Sequence, residues 1–239
     1  MTAHKQRQED QPAFVLHSYP YRETSLVLEV FSREHGRVAL VARGARRPRS
    51  PMRGLLMSFQ PLLLSWFGKG ELRTLHRAER QGGQPQLQGT ALLCGFYLNE
   101  LLLNLTVRDD PHEALFDYYQ ATLQRLSGDG DQAATLRRFE KHLLQELGYA
   151  LLLELEADTG HAIDPAVQYR YVIERGPLRN AQEGLPVLGK TLHDIAADDY
   201  RDALSAQQSK QLMRMLLNHY LAGKVLHTRE LIKDMQRAN

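Results

Sequence analysis

Along the first 80 residues, apolar side chains recur at every second position, the spacing of half-buried strands. Residues 13–18 form a short apolar run. In 25–31, Leu26, Leu28 and Val30 alternate with Val27, Glu29 and Phe31. Glu34, His35 and Gly36 read as a turn, after which Val38, Leu40 and Ala42 alternate with Ala39, Val41 and Arg43. Residues 55–67 are expected to form one long strand bent at Pro61, and 71–80 alternates Leu72, Thr74 and His76 with Arg73, Leu75 and Arg77. Five strands with no helical period between them predict a small closed barrel of the OB type, with an SH3-like barrel as the other candidate.

At 81–85 (Gln-Gly-Gly-Gln-Pro) the period changes from two to 3.6. Residues 87–106 are apolar around most of a helix, and 111–127 carries Leu115, Phe116, Tyr119, Leu123 and Leu126. Asp131 is placed to cap a helix whose stripe is Leu136, Phe139, Leu143 and Leu147, with Gly148 as its stop. The period fades over 151–188, where 169–174 reads as a short strand and Gly176, Pro177, Gly184 and Pro186 as turns. Helical signals return at Thr191. They strengthen from Ser205 to Gly223, and a last short helix is expected over 228–237. The class is α+β: a barrel domain over 1–81 and a helical domain over 86–239, with 151–188 a small irregular insertion.

Charge changes this picture. The chain holds 30 Lys and Arg against 28 Asp and Glu, but residues 1–80 hold 14 against 7. No acid occurs from His35 to Gly70, a window that carries Arg37, Arg43, Arg46, Arg47, Arg49, Arg53 and Lys69. Guanidinium groups crowded on one loop repel one another, and a polyanion relieves that repulsion while releasing its own counterions. These seven residues are the candidate nucleic-acid contacts. Tyr19 and Tyr21, read as flanking Pro20 in a loop, are the candidate stacking rings.

Other chemistry is thin. The single Cys94 lies in an apolar run, which excludes a disulfide framework and a Cys-rich zinc site and fits a reducing compartment. The N-terminus lacks an apolar signal core. The most apolar run, 87–105, is broken by Asn99, Glu100 and Asn104, so a buried helix is expected rather than a membrane span. A soluble, cytoplasmic protein is expected. His193, Asp194, Asp198 and Asp199 are the densest acidic cluster, but two carboxylates on one helix face without a third ligand make a poor metal site. There is no phosphate-binding loop, no nucleophile elbow and no paired-ligand zinc spacing. No catalytic residue, metal or cofactor is assigned. Two readings compete with a DNA-binding role: an OB-fold module for RNA or tRNA, and a phosphoester enzyme built on the 194–199 acids.

Eight collinear stretches resemble the bacterial recombination mediator family RecO. They are Ala13-Phe14-Val15-Leu16-His17-Ser18, Glu23-Thr24-Ser25-Leu26, Gly36-Arg37-Val38 with Gly44-Ala45-Arg46, and Pro61-Leu62-Leu63-Leu64. Tyr97-Leu98-Asn99-Glu100-Leu101-Leu102, Leu136-Arg137-Arg138-Phe139-Glu140, Leu147-Gly148-Tyr149 and Arg229-Glu230-Leu231 complete the set. The resemblance implies an N-terminal OB-fold, a helical domain and a place in the RecF pathway of DNA repair, in the cytoplasm at the nucleoid. It implies binding of single- and double-stranded DNA and annealing of complementary strands. It also implies work with RecR, a functional link to RecF, and loading of RecA onto strands coated by single-strand-binding protein (SSB), whose acidic C-terminal tail is contacted. On that pattern the tail is placed on the helix after Asp131, with Arg137 and Arg138 for its carboxylates and Leu144 and Leu147 for its apolar end. Many members carry a four-cysteine zinc motif in the part matching 151–188. This chain has no cysteine there, so no zinc is carried over and packing alone must hold that segment.

Overall fold

The computed structural model describes residues 7–149 and 151–231. Strands β1 (Arg7–Tyr21), β2 (Ser25–Ser32), β3 (Gly36–Ala42), β4 (Leu62–Phe67) and β5 (Leu72–Arg80) close into a barrel of order β1-β2-β3-β5-β4. Closure depends on the length of β1. Its second half pairs with β2 and its first half with β4, so that Ala13 lies opposite both Ser32 and Leu62. The alternating residues Ala13 and Val15, Leu28 and Val30, Val38 and Leu40, and Leu62, Leu64 and Trp66 fill the interior. Phe14 and Phe31 point to the opposite side and are also buried, with ring centroids 5.4 and 5.6 Å from Phe116. Burial on both sides explains why 13–16 reads as a continuous apolar run.

Three sequence expectations are corrected. β1 starts at Arg7, six residues before its apolar run; here Ser65 Oγ accepts from the Asp10 backbone N–H at 3.0 Å, where the β1–β4 register shifts. The expected long strand over 55–67 is only β4. Its first half is a set of turns, with Phe59 at φ +66 packed on Phe96, centroids 5.1 Å apart. Tyr19, Pro20 and Tyr21 lie in β1, opposite Val27, Leu26 and Ser25, and not in a loop.

The chain forms two compact units. The first holds the barrel, α1 (Gly89–Leu105), α2 (Glu113–Leu126) and the segment from Leu226, where residues 227–231 are helical; the rest of the helix expected over 228–237 lies outside the described residues. The second, Asp129–Val225, holds α3 (Gln132–Glu146), a sheet of β6 (Gln168–Val172), β7 (Gly176–Leu178) and β8 (Leu185–Leu188), α4 (Gly189–Ala196) and α5 (Ala203–Tyr220). The Asp131 carboxylate caps α3 by accepting from the N–H groups of Ala133 (2.8 Å) and Ala134 (3.1 Å), and Gly148 leaves the helix at φ +76.

Within 151–188 the structure is more regular than turns. Gly176 and Pro177 form β7 and Pro186 lies in β8. Both strands flank β6 at the sheet edges, where a missing N–H is tolerated. Glu156, 3% exposed, accepts from the Thr159 hydroxyl (2.6 Å), the Tyr169 hydroxyl (2.9 Å) and the Arg179 guanidinium (2.9 Å), tying this segment together. Among the described residues no group of three or more His, Cys, Asp or Glu could hold a metal ion, and no helix is long and apolar enough to cross a membrane.

Candidate nucleic-acid interface

The basic loop leaves β3 at Ala42 and is fixed at its root. Gly44 turns the chain at φ +69. The Arg46 N–H donates to the Thr24 carbonyl at 2.8 Å, and its guanidinium reaches the Arg22 carbonyl at 3.4 Å. Ala45 and Leu56, 1% and 7% exposed, join the barrel core, with Met52 and Leu55 packed against it. Consecutive turns follow, Arg47 N–H to Gly44 carbonyl, Ser50 to Arg47 and Arg53 to Ser50. Apolar pegs thus hold the loop down while its polar positions face outward. Arg43, Arg46, Arg47, Arg49 and Arg53 are all exposed, and among the described residues none has a carboxylate partner.

Because the loop root is bonded to the β1–β2 turn, these guanidinium groups share one end of the barrel with the tyrosine end of β1. Tyr19 is 48% exposed and its ring lies 4.4 Å from that of His17. The Arg22 guanidinium sits 5.2 Å from the Tyr21 ring centroid. Cations that can follow a phosphate backbone and rings that can stack on bases therefore lie together. Arg22 and Arg80, whose guanidinium donates to the Gly54 carbonyl at 3.3 Å, extend the basic surface. Both stand beside acidic residues in the sequence, so an acid-free window did not find them. Their signal is proximity to the turn and to the loop.

Two of the seven predicted contacts lie elsewhere. Arg37 donates to Glu29 at 3.1 Å and to the Thr106 carbonyl at 3.0 Å, and its side chain is 16% exposed. Arg108 reaches the same carboxylate from the α1–α2 connection. Arg37 thus neutralises a buried acid in the first unit. Lys69 is exposed in the β4–β5 turn. β3 and β5 run parallel, so this turn lies by the start of β3, away from Ala42 where the arginine loop leaves. It borders a recess of about 350 Å³ walled by His35, Trp66 and Arg73. Burial lowers the pKa of His35 below its ordinary value, and Arg73 adds to the effect. Arg73 itself is held by Asp109 at 2.6 Å.

The α3 residues assigned to a partner tail have internal contacts. Arg137 pairs with buried Glu140 at 2.6 Å. Arg138 donates to the Asp198 carbonyl at 3.0 Å beneath the Tyr200 ring, and Lys141 donates to the Ile195 and Ala196 carbonyls at 3.1 and 3.2 Å. These last two cations meet the carbonyl-rich end of α4, where positive charge is favoured. Leu144 is 1% exposed and belongs to the core, while Leu147 is half-buried at the helix end.

The acidic cluster is also occupied. Asp194 holds Lys190 and the Ser205 hydroxyl, both at 2.5 Å, and Lys141 meets Asp198 at 2.7 Å. Hydrogen bonds from Arg201 push the Asp199 carboxyl well below the usual range. His193 Nε2 lies 2.9 Å from the Ile163 carbonyl.

Two family profiles match the chain, one described as "Recombination protein O N terminal" over residues 7–82 and one as "Recombination protein O C terminal" over 86–230. Proteins named "DNA repair protein RecO" from Nitrosospira multiformis and Aromatoleum aromaticum are each 58% identical to it, over 99% and 97% of this chain and 100% and 98% of theirs. One of the same name from Dechloromonas aromatica is 55% identical over 95% of this chain and 96% of its own.

Proposed function

The chain belongs to the recombination protein O (RecO) family, and from that premise we propose that it is a non-enzymatic mediator of the RecF pathway. Family membership gives it a role in DNA repair and recombination. Within that role, the arginine end of the barrel binds single- and double-stranded DNA and brings complementary strands together. With RecR, and linked to RecF, the protein helps RecA onto SSB-coated DNA. The SSB tail meets α3, with Arg137 and Arg138 for its carboxylates and Leu147, beside buried Leu144, for its apolar end. The work is done in the cytoplasm, at the nucleoid.

The observation that carries this reading is the set of five exposed arginines with no carboxylate partner among the described residues, on a loop pinned to the barrel rim. Such a surface binds phosphate through charge and selects no base sequence. A non-enzymatic role is supported by the internal partners of Asp194, Asp198 and Asp199.

The test is annealing of complementary strands already coated with SSB, with DNA and RNA of equal length as competitors. Faster annealing, with DNA the stronger competitor, is expected. No acceleration would remove the mediator reading, and stronger competition by RNA would favour an RNA-binding module.

A further inference from the structure

The second unit is acidic as a whole, with 14 Asp and Glu against 11 Lys and Arg. Its α5 departs from that balance. No Asp or Glu occurs from Ala203 to Arg229. The buried side of α5 is Ser205, Ser209, Leu212, Met213, Leu216 and Leu217. Its outward side includes Gln207, Lys210, Gln211 and Arg214, all exposed and within about 100° of arc at 3.6 residues per turn.

Lys210 and Arg214 stand one turn apart, a like-charge spacing that is mildly destabilising. Neither has an ion pair or side-chain hydrogen bond among the described residues. The acids near α5 are engaged elsewhere: Asp202 caps the Ser205 N–H at 2.8 Å, Asp194 accepts from the Ser205 hydroxyl, and Glu174 lies 3.3 Å from His219. The helix dipole does not explain the two cations, because both lie mid-helix and its effect falls off within the last turn.

We propose that this face of α5 is a second contact surface for the phosphodiester backbone of a single DNA strand. Lys210 and Arg214 neutralise phosphates, and the Gln207 and Gln211 amides donate to phosphate oxygens. The face pairs two cations with two amides, the groups that meet phosphate oxygens, and the exposed Leu204 borders it one turn before Gln207, so an acidic peptide with an apolar end is the alternative that the test separates. A protein that pairs two strands needs purchase on both, and this surface is separate in sequence and in unit from the arginine loop.

The proposal rests on the reading of the protein as a DNA binder, and the test separates the two. Binding of a labelled oligothymidylate by the full-length protein is titrated with salt for the parent, for K210A/R214A, for R46A/R47A/R49A and for the combination. Removing Lys210 and Arg214 is expected to lower the log–log salt slope by about 1.4 in either background and the affinity on the order of tenfold near 0.15 M salt. Annealing of bare strands should slow with it. K210R/R214K should keep the parent slope, and K210Q/R214Q should repeat the loss if the alanine pair unfolds. Coincident slopes with and without the two cations, in both backgrounds, would overturn the proposal. So would loss of acidic-peptide binding with the DNA slope unchanged, which would assign the face to a protein partner. A change confined to the loop variant would leave the first reading standing without this one.

Discussion

The side-chain amide of Asn99, on α1, donates to the carbonyl of Leu16, on β1, at 2.9 Å. The β1–β2 register shifts between Val15 and His17, and Leu16 sits in that irregularity. Asn99 is 2% exposed, and its Oδ1 accepts from the Tyr119 hydroxyl at 2.5 Å. One residue thus joins strand, α1 and α2 within the first unit. Burial raises the pKa of the Tyr119 hydroxyl far above its ordinary value, so it remains a donor at any physiological pH.

Asn99→Leu should therefore remove this donor from the Leu16 carbonyl and this acceptor from the buried Tyr119 hydroxyl, at a cost of about 2–4 kcal/mol. Tyr119→Phe removes only the hydroxyl and should cost about 1 kcal/mol. Urea unfolding measures both, and equal losses for the two variants would contradict this arrangement.

Glu156 sets a pH dependence. The Thr159 hydroxyl first, then Tyr169 and Arg179, hold its carboxyl at about 2 against the opposing effect of burial. The folded pKa lies below the ordinary 4.5, so the contribution is complete above pH 4.5 and is lost as pH falls from there towards about 2. Glu156→Gln should be less stable than the parent at pH 7 and should show less of the decline over that window. A parallel decline in parent and variant would place the acid sensitivity elsewhere.

Chelation addresses the same segment. With a carboxylate, two hydroxyls and a guanidinium holding it, prolonged treatment with a chelator should leave Tm unchanged. A clear fall in Tm, with stoichiometric zinc by elemental analysis, would contradict this.

Arg137→Ala should weaken binding of an SSB tail peptide by about 1.5–3 kcal/mol, the range for a hydrogen bond to a charged group. It also removes one partner of buried Glu140, so Tm should fall. Arg137→Lys retains a cation for Glu140 while losing the planar fork. It should separate the effects by keeping more of the stability than of the peptide affinity. Binding to bare DNA should be unchanged in both, and an unaltered peptide affinity in both would move the tail off α3.

Much of the fold was legible because burial on one face imposes a period. β2, β3, α2 and α3 follow their apolar spacing, and Asp131 and Gly148 bound α3 where their side chains, or lack of one, dictate. The first residues of β1 were not legible. Arg7 to Gln11 pair through backbone with β4 while their side chains remain largely polar, leaving no hydrophobic signature. Residues 55–61 carry strand-like composition, yet their apolar side chains peg a loop to the barrel and to α1.

The site divides the same way. The absence of nearby acids located the arginine loop, since repulsion is a property of the chain itself. Arg37 met the same criterion although its partners, Glu29 and the Thr106 carbonyl, come from a neighbouring strand and from the far end of α1. Tyr19 and Tyr21 were assigned to a loop because Pro20 reads as a breaker. At the end of a hairpin the strand tolerates it.

The most direct measurement is the salt dependence of single-stranded DNA binding by R46A/R47A/R49A beside the parent. Three lost phosphate contacts should flatten the slope of log affinity against log salt by about 2, at about 0.7 per contact on single strands, and should weaken unrelated sequences alike. An unchanged slope, or a loss confined to one sequence, would contradict a phosphate-binding loop at the barrel rim.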